Sequence, residues 1–484
     1  MKPKHTKSKI ISSLFWKLME RCGTQGIQFI VQIVLARLLL PEDFGTIAIV
    51  MVFISLAQVF VQSGFNTALI QSKDADDVDF SSVFYLSLFV AALLFILIYL
   101  TAFFIADFYR DPILIPVLRV LVLTLFFGAF NSIQNAYIAR NMMFKKLFYS
   151  SVGAIIVSGT TGIIAAYMGF GIWALVIQQL INQISITIIM LFTVKWRPRL
   201  TFSFQRVKKL FSFGWKLLVS SLLNTLYVDI RTLIIGRFYT PSVLGYYNRG
   251  QQFPRVIVSN INGSIQSVML PTLSAHQDDT KRVKEMMRRA IKTGSFMIFP
   301  MMIGMAVVAE PLVKIVLTDK WLPAVPFLQI FCVSYALMPI QTANLQAINA
   351  LGRSDIFLRL EVIKKIIGLI ILGISLQFGV YAIALGQVIS GIISTFINTY
   401  PNKELLYYSY KEQWIDIKPS LLLSIVMGSI VYSFNFLYFA AWKILFLQVA
   451  VGAIIYIGLS KILRVENFNY LINTIKEFVN LRKN

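Results

Sequence analysis

The sequence predicts an all-α polytopic membrane protein of about 14 transmembrane helices, arranged as two parallel six-helix repeats followed by two C-terminal helices. Three observations carry that prediction. The 484 residues are 57% hydrophobic and only 14% charged, with a mean hydropathy of +0.72, which is too apolar for a soluble chain of ordinary composition. Apolar windows of the roughly 20 residues needed to cross a bilayer core recur along the whole chain. Stretches of the first half also return in the second, and a period that long points to two like lobes.

The windows lie near residues 13–38, 44–70, 81–106, 113–139, 150–168, 171–194, 212–238, 244–270, 290–317, 324–350, 356–376, 379–400, 419–440 and 443–463, here spans 1 to 14. The start, KPKHTKSK and an apolar run to Leu40, has no small-x-small cleavage site and reads as an uncleaved first span. Of the Lys and Arg residues in the termini and connections, 31 fall in one alternate set and three, Arg110, Lys320 and Lys443, in the other. By the positive-inside rule both termini are expected to be cytoplasmic. The outer connections are short turns and the longest inner ones run to about 20 residues, so no room is expected for a soluble catalytic domain.

The repeat is seen first at Trp16-Lys17-Leu18, which recurs as Trp215-Lys216-Leu217. ARLLLPEDFG recurs as GRFYTPSVLG, placing Arg37, Pro41 and Gly45 on Arg237, Pro241 and Gly245. The register is 199 residues at the start and 200 afterwards. FGIWAL at Phe170–Leu175 returns as FGVYAI at Phe378–Ile383, and Gln179 as Gln387, at a register of 208. The expected lobes are residues 1–200 (spans 1 to 6) and 201–402 (spans 7 to 12), with 403–484 holding spans 13 and 14 and a cytoplasmic tail. Both copies begin on the same side, so they are parallel repeats about an axis along the membrane normal.

Several function classes are excluded. The net charge of +23 does not imply nucleic acid, because the basic residues are scattered among short loops and not gathered on one face. Only two histidines, His5 and His276, and two cysteines, Cys22 and Cys332, are present. No metal site, catalytic triad or disulfide framework is expected from them, and the cysteines should be free, inert thiols in apolar helices. No nucleotide-binding motif or cofactor site is evident.

Polar residues within the spans are the informative feature. On span 1, Lys17, Arg21, Gln25, Gln28 and Gln32 fall within an arc of about 80°. The equivalent positions on span 7 are Lys216, Ser220, Asn224, Tyr227 and Arg231. Span 2 carries Ser55, Gln58, Gln62 and Asn66 on one face, and span 8 carries Arg255, Ser259, Asn262 and Gln266. Gln and Asn commonly tie membrane helices together, and any one of them could serve so. A cation at the bilayer centre, however, costs about 2.5–3.5 kcal/mol. Only Glu20 and Asp229 are near enough in sequence to offset Lys17, Arg21, Lys216, Arg231 and Arg255, so a cationic aqueous cavity is expected.

The remaining charges are read as structural, except Arg249, which joins Lys17, Arg21, Lys216, Arg231 and Arg255 as a candidate cavity cation. Arg37 and Arg237 are expected to anchor at the outer boundary, with Glu42 and Asp43 available to the first. Arg249 lies about 120° from the Arg255 stripe, with Pro254 between them to kink the helix. Arg119 lies near the outer end of span 4. Glu310 and Lys314, one turn apart, are expected to pair with each other, and the acidic loop Asp74, Asp76, Asp77, Asp79 to be solvated. GFG at 169–171 reads as a helix-turn glycine pair, since no strand precedes it.

Certain phrases carry a family resemblance: PEDFG after an Arg-ending first helix, VQSGFNTALIQ closing span 2, and LGYYNRGQQFP opening span 8. With two six-helix lobes plus two helices, the chain resembles the polysaccharide-export branch of the multidrug/oligosaccharidyl-lipid/polysaccharide (MOP) exporter superfamily, and within it the Wzx-type and colanic-acid-type flippases. The resemblance covers about residues 10–465. It implies MATE-like lobes and no enzymatic activity. The implied function is alternating-access transfer of undecaprenyl-diphosphate-linked oligosaccharides, from the inner to the outer leaflet of the bacterial cytoplasmic membrane, for surface polysaccharides such as O-antigen or exopolysaccharide. The implied partners are that lipid-linked oligosaccharide, membrane lipids, and the polymerase and glycosyltransferases of the same pathway. Related lipid II flippases use cations on helices 1, 2 and 8. Arg21 and Arg255 or Arg249 match the first and last, but span 2 offers only neutral Ser55, Gln58 and Gln62. Spans 13 and 14 resemble helices that shelter the lipid tail. Two other readings are a cation-coupled drug antiporter of the same superfamily, whose cavity should offer carboxylates, and a membrane glycosyltransferase or ligase, which needs an acidic catalytic group.

Overall fold

The computed structural model describes residues 3–62, 64–72, 75–437 and 439–481. The described residues form α-helices joined by turns and short 3-10 segments, with no strand among them. The chain packs as two compact units, Met1–Gly245 and Tyr246–Asn484.

The first unit holds α1 (Pro3–Leu38), α2 (Pro41–Gln62), α3 (Phe65–Gln71), α4 (Asp77–Tyr109), α5 (Leu114–Leu121), α6 (Thr124–Arg140), α7 (Phe144–Tyr167), α8 (Ile172–Thr193) and α9 (Phe204–Phe238). Helix α10 (Pro241–Ser274) begins in it and continues into the second unit. That unit then holds α11 (Thr280–Val307), α12 (Ala309–Val316), α13 (Val325–Ala336), α14 (Met338–Ala350), α15 (Ser354–Ser375), α16 (Val380–Leu405), α17 (Tyr410–Ser433), α18 (Ala441–Ile462) and α19 (Glu466–Leu481).

Among the described residues, 11 helical stretches are long and apolar enough to cross a membrane, so the chain is an all-α multi-pass membrane protein. Each of the 14 expected windows overlaps a helix among the described residues. The three outside that apolar set lie on α1, α10 and α15. Length does not exclude α1, which at 36 residues runs about 54 Å against a core of about 30 Å; its polar stripe does.

Helix ends follow local chemistry. α1 ends at Leu38 and α2 starts at Pro41, while α9 ends at Phe238 and α10 starts at Pro241. Proline suits a first helical turn, where its missing N–H is no loss. Within the first unit these two starts lie against each other. A Cβ on Gly45 would collide with the Pro241 carbonyl, and one on Gly245 with the Pro41 carbonyl, so both glycines of the repeated phrase are needed for a close backbone approach. The GFG segment is a turn between α7 and α8, with Gly169 and Gly171 at φ +81° and +54°.

Two structural expectations need correction. Lys314 pairs with Asp319 at 3.4 Å, not with Glu310, because the turn through Thr318 at φ 89° brings Asp319 back to the end of α12. The acidic loop is engaged and not simply solvated. Asp76 caps α4 in a capping box with Asp79 and pairs with Arg206, while Asp77 pairs with Arg199 at 2.9 Å. The 195–203 connection is held there because the backbone N–H groups of Arg199 and Ser203 donate to the Ser81 and Ser82 hydroxyls, each at 3.0 Å. Asp74 lies outside the described residues.

Cores lie under these connections. In the first unit Phe65, Phe80, Ile133, Met190 and Trp196 form one buried cluster. In the second, Met287, Ile291, Ala343 and Tyr408 form another, and Phe296, Met427 and Tyr456 a third.

Candidate functional site

The stripe on α1 changes character along its length. Lys17 and Arg21 are exposed, while Gln25, Gln28 and Gln32 are half-buried. The Lys17 ammonium lies 5.5 Å from the Phe144 ring centroid. Glu20 is bonded by Ser151 and lies in the field of Lys17 and Arg21. The side-chain oxygens of Gln25 and Gln28 are buried and accept no hydrogen bond, which is costly for an amide unless a ligand or water completes it.

On α9, Lys216, Ser220 and Asn224 are exposed and Tyr227, Asp229 and Arg231 half-buried. The Arg231 guanidinium lies 5.7 Å from the Tyr227 ring centroid, and its Nε donates to no partner. α9 packs on α2, where the Ser55 hydroxyl donates to Asp229 at 3.3 Å.

The α2 stripe divides. Gln62 is exposed. Gln58 donates to the Thr124 carbonyl at 3.3 Å and lies against Gly128. Asn66, on α3 and not α2, accepts from the Ser132 hydroxyl at 2.9 Å. Gln58 and Asn66 therefore tie helices together within the unit, as membrane amides commonly do.

In the second unit, Arg255 and Gln266 of α10 are exposed. Asn262 is buried with both amide atoms unbonded. Arg249 is buried, donates to Gln252 and lies 5.6 Å from the Trp321 ring centroid. It is built into the packing of α10 and does not join the exposed cations. Arg119 and Arg237 lie over the Tyr99 and Phe108 rings, with cation-to-centroid distances of 4.5 and 4.8 Å. Asp43 accepts the Leu40 N–H at 2.9 Å. Cys22 is exposed and Cys332 buried, both free thiols. No group of three metal-ligating side chains occurs among the described residues.

One acidic centre was not foreseen. The Asp416 carboxylate of α17, only 2% exposed, takes two hydrogen bonds from Arg288, at 2.6 and 2.7 Å, and one from Tyr408 at 2.7 Å, with Lys292 at 3.6 Å. Arg288 and Asp416 stand 128 residues apart, so no helical spacing could pair them.

The helices define a multi-pass α-helical membrane protein with polar side chains along several of them. The sequence profile of the family described as "Polysaccharide biosynthesis protein" matches residues 34–326, more than half of the chain, and the chain belongs to that family. It is similar to the teichuronic acid biosynthesis protein TuaB of Bacillus subtilis, 29% identical over 302 residues, a match that spans 62% of each chain. The lipopolysaccharide biosynthesis protein WzxC of Escherichia coli is 25% identical over 438 residues, 87% of this chain and 88% of that one. In fold, the chain resembles the structure of the lipid II flippase MurJ in an inward closed conformation, with a TM-score of 0.75 and 17% identity over 95% of this chain and all of that one.

Proposed function

We propose that this protein is a flippase that carries undecaprenyl-diphosphate-linked oligosaccharide units from the inner to the outer leaflet of the bacterial cytoplasmic membrane, for surface polysaccharide biosynthesis. The observation that carries this reading is that Lys17, Lys216, Arg231 and Arg255 take part in none of the ion pairs found among the described residues. Lys216 and Arg231 sit on α9, one of the stretches apolar enough to cross the membrane, and Lys17 and Arg255 on α1 and α10, which the expected spans 1 and 8 cover. A cation at the bilayer centre costs about 2.5–3.5 kcal/mol. A diphosphate supplies the missing anion and several charge-assisted hydrogen bonds.

Lys216 and Arg231 stand about 22 Å apart along α9, so these cations and Arg21 serve the diphosphate as successive partners along its path. Gln25, Gln28, Gln32, Gln62, Asn224, Tyr227, Asn262 and Gln266 meet the sugars, and the open acceptors on Gln25 and Gln28 suit sugar hydroxyls. Arg249, Gln58 and Asn66 are left out, because each is engaged elsewhere. The family membership and the likeness to WzxC support the substrate class. The repeats at 1–200 and 201–402 act as the rocking lobes of alternating access, with 403–484 as an addition. The bias of basic residues supports cytoplasmic termini.

The test is complementation of cells lacking their own exporter. Arg21→Ala with Arg255→Ala should block the outer-leaflet appearance of the lipid-linked oligosaccharide while the protein still inserts. Unchanged export by the double variant would refute the cationic site.

A further inference from the structure

In the second unit, α14, α16 and α17 enclose a cavity of about 660 Å³. Its walls are Ile340, Ile392, Phe396, Trp414 and Ile417. Phe396 is 57% exposed and Trp414 53%, so the cavity is a groove open on the outer surface of these helices. In a membrane protein that surface is bathed in lipid.

The floor asks for no polar ligand. Gln413 accepts from Asn344 at 3.0 Å and from Thr399 at 3.3 Å, and donates to Asn344 at 3.1 Å. Thr395 donates to the Gly391 carbonyl at 2.9 Å and accepts from Gln341 at 3.1 Å. A groove with apolar walls and a satisfied floor is filled by hydrocarbon.

One end is different. Tyr410 and Lys411 close the groove where α17 begins. The Tyr410 hydroxyl donates to the Phe396 carbonyl at 2.9 Å, which fixes the aromatic end. Lys411 is exposed and absent from every ion pair among the described residues, whereas its neighbour Glu412 is bound to Lys284 at 2.9 Å. An unpaired ammonium beside Tyr and Trp at a helix end is the chemistry of a phosphate-bearing membrane boundary.

We propose that this groove is a binding site for an anionic glycerophospholipid: one acyl chain lies along Ile392, Phe396 and Ile417, and Lys411 holds the phosphate. None of its lining residues belongs to the substrate set above.

The experiment places the full-length protein in nanodiscs of phosphatidylcholine and phosphatidylglycerol carrying trace diazirine-tailed phosphatidylglycerol, and maps the crosslinks by mass spectrometry. Labels should concentrate in residues 392–399 and 410–417. Ile392→Trp, which fills the groove, should remove most of them. Lys411→Ala should lower labelling by phosphatidylglycerol relative to a phosphatidylcholine probe about fivefold, the share expected of one basic residue at the surface. Lys411 is exposed, so its variant still decides the matter if Ile392→Trp does not insert. Labels spread equally over lipid-facing helices such as α4, with its exposed Phe89, Phe103 and Phe104, would overturn the site. So would displacement of the probe by polyprenyl diphosphate but not by excess phosphatidylglycerol, which would give the groove to a carrier lipid instead.

Discussion

Three basic residues of α11 and three on α1 and α9 are alike in type and opposite in circumstance. On α11, Lys284, Arg288 and Lys292 are all held by carboxylates, Glu412, Asp416 and Glu466. On α1 and α9, Lys17, Lys216 and Arg231 have no such partner among the described residues. Burying a carboxylate is tolerable only with its cations in place, so the α11 set is part of the structure. In the proposed reading, cations that no carboxylate holds in an ion pair are left for an anion that arrives from outside.

The largest effect should therefore come from the paired set. Asp416→Ala leaves Arg288 and Lys292 without their shared anion and strands the Tyr408 hydroxyl. Breaking a fully buried pair costs about 3–5 kcal/mol, and because Arg288 is 44% exposed the expected cost lies below that range. Thermal unfolding in detergent should show a large fall in Tm, and an unchanged Tm would remove the distinction between the two sets. The unpaired set should behave the other way. Arg231→Ala should leave Tm nearly unchanged but lower flipping of the lipid-linked oligosaccharide about tenfold, the equivalent of one charge-assisted hydrogen bond at about 1.4 kcal/mol per decade. A large stability loss with normal export would make Arg231 a structural cation like Arg288.

Much of this was legible in the chain. The repeated phrases around Pro41 and Pro241, the glycine turn at 169–171 and the polar stripe on α1 are local patterns, in which residues within a few positions dictate one another. What was not legible depends on partners far apart. Gln58 and Gln62 looked alike as rungs of one stripe. Only packing assigns Gln58 to the Thr124 carbonyl and leaves Gln62 exposed. Arg249 and Arg255 were both candidate cations, yet Trp321, far along the chain, takes the first into the interior. The groove of α14, α16 and α17 was invisible for a related reason: its wall residues are of the same types as any lipid-facing helix surface.

The smallest effect is expected where a pair is fully formed but wet. Arg206 beside Asp76, helped by the backbone N–H groups of Asp79 and Val78, holds the Asp76 carboxyl down at about 2, against an ordinary value of 3.8. A depressed carboxylate adds stability above its unfolded value, and that contribution is lost as pH falls from about 4 through about 2. Both side chains are nearly half exposed, at 41% for Arg206 and 49% for Asp76, so solvent and salt screen the pair and little global stability rests on it. Asp76→Asn at neutral pH should raise amide exchange at residues 77–80, where the cap is weakened, and leave Tm almost where it was. Raising the salt to about 1 M, where the screening length falls to about 3 Å, should reproduce part of that local loosening in the unaltered protein. If Asp76→Asn lowered Tm as far as Asp416→Ala does, exposure would not be what separates a structural ion pair from an incidental one, and the reading of the α1 and α9 cations by the same logic would fall with it.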